Sequence, residues 1–130
     1  MAEKKQFTFR GKTLDELKDM DVREFAKLLK SRQRRFVLRR FQDIDKFLKR
    51  MEAKSGKKKL VKTHKRDLLI VPKMIGARLS IYNGKTFIPV DVTGEMLGHK
   101  FGEFAPSRAR IKHGKAGVGA TKGTKSKSKK

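Results

Sequence analysis

The chain contains no cysteine and no tryptophan, a single tyrosine and only three prolines. The missing thiols exclude disulfide frameworks, thiolate metal sites and cysteine nucleophiles. Acid is scarce too: 13 carboxylates face 36 lysines and arginines in 130 residues, a formal net charge of +23. Nothing acidic follows Glu103, whereas Asp15, Glu16, Asp19, Asp21 and Glu24 crowd the start. Such a surplus of cations repels itself and calls for a polyanionic neighbour, nucleic acid first and an anionic membrane as the rival. Long apolar runs are absent as well. Leu68 to Val71, among the longest, falls far short of the roughly 20 residues that span a bilayer, and the opening Met-Ala-Glu-Lys-Lys has no apolar signal region. A soluble, non-secreted protein of the cytoplasm with no membrane contact is expected.

Catalytic patterns are equally sparse. His64, His99 and His113 lie far apart and in no metal-binding spacing, so no metal site is expected. Glu103 near His99 imitates an acid–base pair, but no Gly-x-Ser-x-Gly nucleophile accompanies it. Gly114, Gly117 and Gly119 follow no strand and lead to no Walker lysine, so they read as flexibility rather than as a phosphate loop. Neither an enzyme nor a cofactor is indicated.

The first half of the chain is patterned for helices. Thr13 with Glu16, and Asp21 with Glu24, match the capping box; the second pair precedes the apolar set Val22, Phe25, Ala26, Leu28 and Leu29. Two short helices follow from this. Ser31 is placed to cap a third, in which Val37, Phe41, Ile44, Leu48 and Met51 recur at helical steps on one face until Gly56 stops it. On the same helix Arg34, Arg35, Arg39, Arg40, Lys46, Lys49 and Arg50 outnumber Asp43, Asp45 and Glu52. Charge of that kind is usually a solvated face, but its excess here favours RNA, most of all at Arg32, Arg34 and Arg35, beside a helix N-terminus suited to phosphate.

Lys57 to Arg66 reads as a basic connector, and Leu68 to Val71 as a short buried strand ended by Pro72. Residues 77–82 and 85–92 flank Asn83-Gly84, the signal of a hairpin on a two-residue turn whose central residues take positive φ. That turn pairs Tyr82 with Lys85, Ile81 with Thr86, Leu79 with Ile88 and Ala77 with Val90. Leu79, Ile81, Ile88 and Val90 then share the core face; Arg78, Ser80, Tyr82, Lys85, Phe87 and Pro89 share a basic and aromatic face. Thr93 to Leu97 suits one helical turn closed by Gly98. Phe101 and Phe104 suit pinning the loop to the core and stacking on bases equally. From Ile111 the composition turns to Gly, Ala, Ser, Thr and Lys, too polar to offset chain entropy, so disorder is expected until a partner binds.

These elements amount to an α/β (α+β) fold: a small antiparallel sheet with a hairpin, packed by helices. The expected division is a helical extension over residues 1–56, an RNA-binding core over 57–113 and a disordered basic tail over 114–130. Within the core, Lys62-Thr63-His64-Lys65-Arg66 mixes firm cations with a hydroxyl and an imidazole, the groups that recognise phosphates and RNA shape. A DNA-compacting architectural protein is the alternative that shares this charge and a lysine tail.

The run Val71-Pro-Lys-Met-Ile-Gly-Ala-Arg-Leu-Ser-Ile-Tyr-Asn-Gly-Lys-Thr-Phe-Ile-Pro-Val90, followed by Thr93-Gly-Glu-Met-Leu-Gly-His-Lys-Phe-Gly-Glu-Phe-Ala-Pro-Ser-Arg108, closely resembles the universal small-subunit ribosomal protein nineteen family. The segment Gly98 to Arg108 is the most specific part, and the likeness runs roughly from Leu60 to His113. Bacterial members commonly carry Trp where His64 stands, which alters any stacking there. The N-terminal Thr-Leu-Asp-Glu-Leu and Ser-Arg-Gln-Arg-Arg resemble the archaeal and eukaryotic branch, and the lysine–serine ending favours an archaeal source. The resemblance implies binding to ribosomal RNA in the head of the small subunit, beside ribosomal protein thirteen and near the contact with the large subunit. It also implies a tail directed towards the decoding region and aminoacyl tRNA. Carried over residue by residue, it implies RNA contacts at Lys62, Thr63, Lys65, Arg66, Arg78, Asn83, Gly84, Lys85, His99, Lys100, Gly102, Pro106, Arg108 and Arg110.

Overall fold

A computed structural model describes residues 6–55 and 60–112. Gly56, expected to stop a helix, His113 and the tail from residue 114 on lie outside the described residues. The chain opens with a small antiparallel ribbon, β1 (Thr8–Phe9) and β2 (Lys12–Thr13), which the sequence pattern does not announce. It leads into α1 (Leu14–Asp19), where the backbone N–H of Thr13 donates to the Glu16 carboxylate at 3.0 Å, the Glu half of the expected capping box. Helix α2 (Val22–Leu28) follows Asp21, whose side chain makes no cap bond, and buries Val22, Phe25 and Ala26.

The expected third helix is two helices. α3 (Ser31–Arg39) starts after Lys30, so Ser31 is its first helical residue rather than its cap, and α4 (Phe41–Ser55) begins one residue beyond Arg40. Arg40, at φ −105° and ψ 21°, sits between them; its N–H bonds the Phe36 carbonyl while its own carbonyl accepts from Asp43 and Ile44. Neither Pro nor Gly marks this break. It arises because the halves pack on different partners, α3 against α2 and α4 against β3.

β3 (Val61–Thr63) lies inside the segment read as a connector. It pairs in parallel with β4 (Arg78–Tyr82), Val61 opposite Leu79 and Thr63 opposite Ile81, and β4 pairs antiparallel with β5 (Phe87–Asp91). The expected hairpin is therefore present, joined by a parallel third strand.

The hairpin register differs by two residues from the expected one: Tyr82 faces Phe87, Ile81 faces Ile88 and Leu79 faces Val90. Only Gly84 in the turn has positive φ, 101°, so the two-residue type I′ turn does not form. Instead the Asn83 side-chain carbonyl accepts from the N–H groups of Lys85 (2.9 Å) and Thr86 (2.7 Å), and the Asn83 N–H donates to the Thr86 carbonyl, closing a loop over residues 83–86. A slip of two leaves every side chain on its expected face, because the strand period is two. Leu79, Ile81 and Val90 are buried accordingly, but Ser80, on the opposite face of the central strand, is buried as well.

Residues 68–71 are buried as expected but form no regular strand. They run extended beside residues 98–101: the Ile70 N–H donates to the His99 carbonyl, the Gly98 N–H to Ile70 and the Phe101 N–H to Leu68, around a single bridge between Leu69 and Lys100. These three backbone hydrogen bonds across the seam fix the later loop on the core. 3₁₀ turns at Pro72–Met74, Gly94–Met96 and Phe101–Phe104 complete the described chain. Gly98 ends the second of these with φ 77°, as its C-terminal position suggests. Phe101 is fully buried and stacks on Phe47 at 5.3 Å, so it pins the loop to the core. A continuous apolar cluster runs from Leu17 and Phe25 of the first helices through Ile44 and Leu79 to Phe101 and Ala105.

Candidate nucleic-acid interface

Two basic grooves, one beside α3 and one at the junction of α4 with β3, are linked through Asp43. The larger, about 530 Å³, lies between α3 and the loop after Leu97, and Arg32, Arg35, Arg39, Arg40 and Lys100 line it with Phe36. The smaller, about 270 Å³, is lined by Lys46, Phe47, Arg50, Lys62, His64 and Lys65. Asp43 joins them: one oxygen accepts from Arg40 at 3.1 Å and the other from Lys65 Nζ at 3.0 Å. The result is a cationic band that runs from α3 across α4 to β3.

The Lys65 hydrogen bond, and next that of Arg40, hold the Asp43 carboxyl below its ordinary value. A carboxyl depressed in the folded state contributes its link above the unfolded value and loses it as pH falls through the lowered one. The Arg40–Asp43–Lys65 bridge therefore stands at neutral pH and opens only in acid. Replacing Lys65→Met should raise the Asp43 titration midpoint, read from its carboxyl carbon by NMR; an unchanged midpoint would overturn the assignment.

Several of the expected contact residues serve the fold first. Arg34 turns back onto the end of α2, donating to the carbonyls of Lys27 (2.8 Å), Ala26 (3.3 Å) and Leu29 (3.3 Å), where a cation also suits the helix dipole. Arg66 donates to the carbonyls of Tyr82 (2.6 Å), Gly102 (3.0 Å) and Ala105 (2.6 Å), and so ties the hairpin to the following loop. The Gly102 N–H donates in return to the Arg66 carbonyl, and a Cβ at Gly102 would stand 3.2 Å from that oxygen, so the approach is close. Thr63 is buried, and its hydroxyl accepts from the Lys65 N–H.

The remaining residues lie outward. Exposed His64 packs against Tyr82 (4.6 Å) and Phe87 (5.0 Å), and Lys62 Nζ stands 5.3 Å over the Phe87 ring, an arrangement of cation and aromatics suited to RNA. Arg78 is exposed on β4, 3.5 Å from Asp91, and Gly84 and Lys85 form the exposed loop tip beside half-buried Asn83. His99 pairs with Glu103 at 2.6 Å, and Lys100 lies over Phe36 at 5.2 Å. Pro106, Arg108 and Arg110 are exposed in the irregular segment that leaves the core. Arg39, Arg40, Lys46 and Arg50 are counted as surplus charge in the sequence, but only the packing of α3 and α4 shows that they line grooves. Helical spacing alone did not separate them from a solvated face.

Among the described residues no helix is long and apolar enough to cross a membrane, and no group of His, Asp and Glu could hold a metal ion.

The chain resembles known proteins over most of its length. The family model for ribosomal protein S19 matches residues 34–113, which begins in α3, well upstream of Leu60. The small ribosomal subunit protein uS19 of Methanococcoides burtonii is 45% identical over 122 residues, covering 94% of this chain and 88% of that relative. Both the shared helices and the shared hairpin-and-loop segment thus fall within one match, and the chain belongs to the ribosomal protein S19 family, in its archaeal form.

Proposed function

We propose that the chain clamps folded ribosomal RNA with the cationic band between α3 and the hairpin, while the 98–110 loop sets the fit. As a member of its family it is a structural constituent of the small ribosomal subunit, not an enzyme, and acts in the cytoplasmic ribosome in translation. The observation that carries the RNA reading is the band itself: two grooves lined by arginines and lysines, joined through a single acid, Asp43. Phosphates neutralise such a surface and position the RNA on it.

The finer placement follows from the family resemblance: the subunit head, beside ribosomal protein thirteen, close to the large-subunit contact, with the tail reaching towards aminoacyl tRNA. The contacts assigned to Arg32, Arg35, Lys62, His64, Lys65, Arg78, Asn83, Gly84, Lys85, His99, Lys100, Pro106, Arg108 and Arg110 belong to this proposal. So do those of Arg34, Thr63, Arg66 and Gly102, whose side chains or backbone also brace the fold. The full chain should bind small-subunit ribosomal RNA in preference to an equal mass of bent or linear duplex DNA in a competition filter assay. Preference for bent duplex would identify an architectural DNA protein instead.

A further inference from the structure

We infer that the larger groove, between α3 and the loop carrying Gly98 and Lys100, is a recess for one unstacked nucleotide; this rests on the RNA-binding reading and names what that part of the surface takes. At about 530 Å³ the groove has the size of sites that enclose a single small molecule. A regular RNA duplex presents a convex backbone ridge and leaves such a recess empty, whereas single-stranded segments splay out bases that enter pockets.

The lining matches both ends of a nucleotide. Arg32, Arg35 and Arg39 make no ion pair among the described residues, so they remain available to phosphate oxygens. Glu103, the groove's carboxylate, is paired with His99. Phe36, whose ring also carries Lys100 Nζ at 5.2 Å, adds apolar wall, which phosphate cannot use and a base can once that lysine swings to a phosphate.

Gln33 separates the two ligand classes further. It lines both this groove and the adjoining recess beside Leu29 and His99, and its Oε1 is shielded from solvent without a hydrogen-bond partner among the described residues, so a base in the groove meets it only when the amide turns outward. A buried acceptor left unpaired is costly and calls for a donor. A phosphodiester carries acceptors only, but every nucleobase presents an N–H on its pairing edge. Charge alone would be served by phosphate; the apolar wall together with the orphaned acceptor is served by a base.

The test uses the full ¹⁵N-labelled chain, titrated separately with inorganic phosphate, with nucleosides and with nucleoside 5′-monophosphates. The amides of residues 32–40 and 98–103 are followed by NMR. The monophosphates should saturate these shifts at concentrations on the order of tenfold below phosphate, the scale of one base stacked on an aromatic ring. Phe36→Leu should abolish that advantage and keep the phosphate response; Gln33→Leu, read the same way, covers the case in which the Phe36 variant does not fold. Equal titration by phosphate and nucleotide, or an advantage untouched by these substitutions, overturns the recess. Small-subunit ribosomal RNA binding is measured on the same sample. Tight RNA binding without a nucleotide advantage rejects only the recess, whereas loss of both rejects the RNA reading as well.

Discussion

Raising salt from about 50 to about 200 mM should weaken binding of the full chain to small-subunit ribosomal RNA on the order of a thousandfold. The net charge of +23 sets the sign of this effect, but the structure determines which cations supply it. Arg34 and Arg66 are committed to backbone carbonyls, and Arg40 and Lys65 share Asp43, so these release fewer counterions on binding. Arg32, Arg35, Lys46, Arg50 and Lys62 line the two grooves and remain for phosphate, joined by Arg108 and Arg110 beyond the core. Half a dozen or more such contacts correspond to a log–log slope of roughly −5 or steeper. Filter binding across a salt series measures it. A flat response would remove the electrostatic clamp, since base and shape contacts alone release few ions.

The second large effect is on stability. Arg66→Ala should destabilise the chain by about 3 kcal/mol, because it strips the charged donor from three carbonyls at the join of hairpin and loop. Bonds to a charged donor contribute roughly 1.5–3 kcal/mol each, but they share one side chain and water reaches this half-buried site, so their sum is an overestimate. Arg66→Lys should recover less than half of the loss, because a compact ammonium cannot span the three oxygens that the planar guanidinium reaches. Urea unfolding of the three chains reads this directly. An alanine cost below about 0.5 kcal/mol, the range of ordinary surface changes, would show that the join is held by the 68–71 seam alone.

How far these features were legible in the sequence depended on whether the signal was local. The helix α2 and the 3₁₀ turn ending at Gly98 follow from nearby periodicity and stop signals, and both are present. The hairpin faces were legible for the same reason, and they survived a register error because a two-residue slip preserves alternation. The register itself was not. Asn-Gly suggested the tight turn, but the Asn83 side chain offers its carbonyl to two N–H groups and stabilises the longer loop. β3 was hidden because its alternation spans only three residues inside a basic segment and becomes a strand only when β4 supplies its partner. The division of the long helix at Arg40 was invisible for a related reason, since the apolar stripe continues across it.

For the interface, the residue types were evident and their roles were not. The sequence by itself determined that the chain is strongly basic, lacks thiol chemistry, and carries the Gly98 to Arg108 segment that marks its family, because composition and contiguous motifs need no folding to be read. Only the tertiary structure decided which arginines brace the fold and which line grooves. That choice depends on where carbonyls and carboxylates from distant segments arrive, as Tyr82, Gly102 and Ala105 arrive around Arg66 and leave Arg32 and Arg35 facing outward.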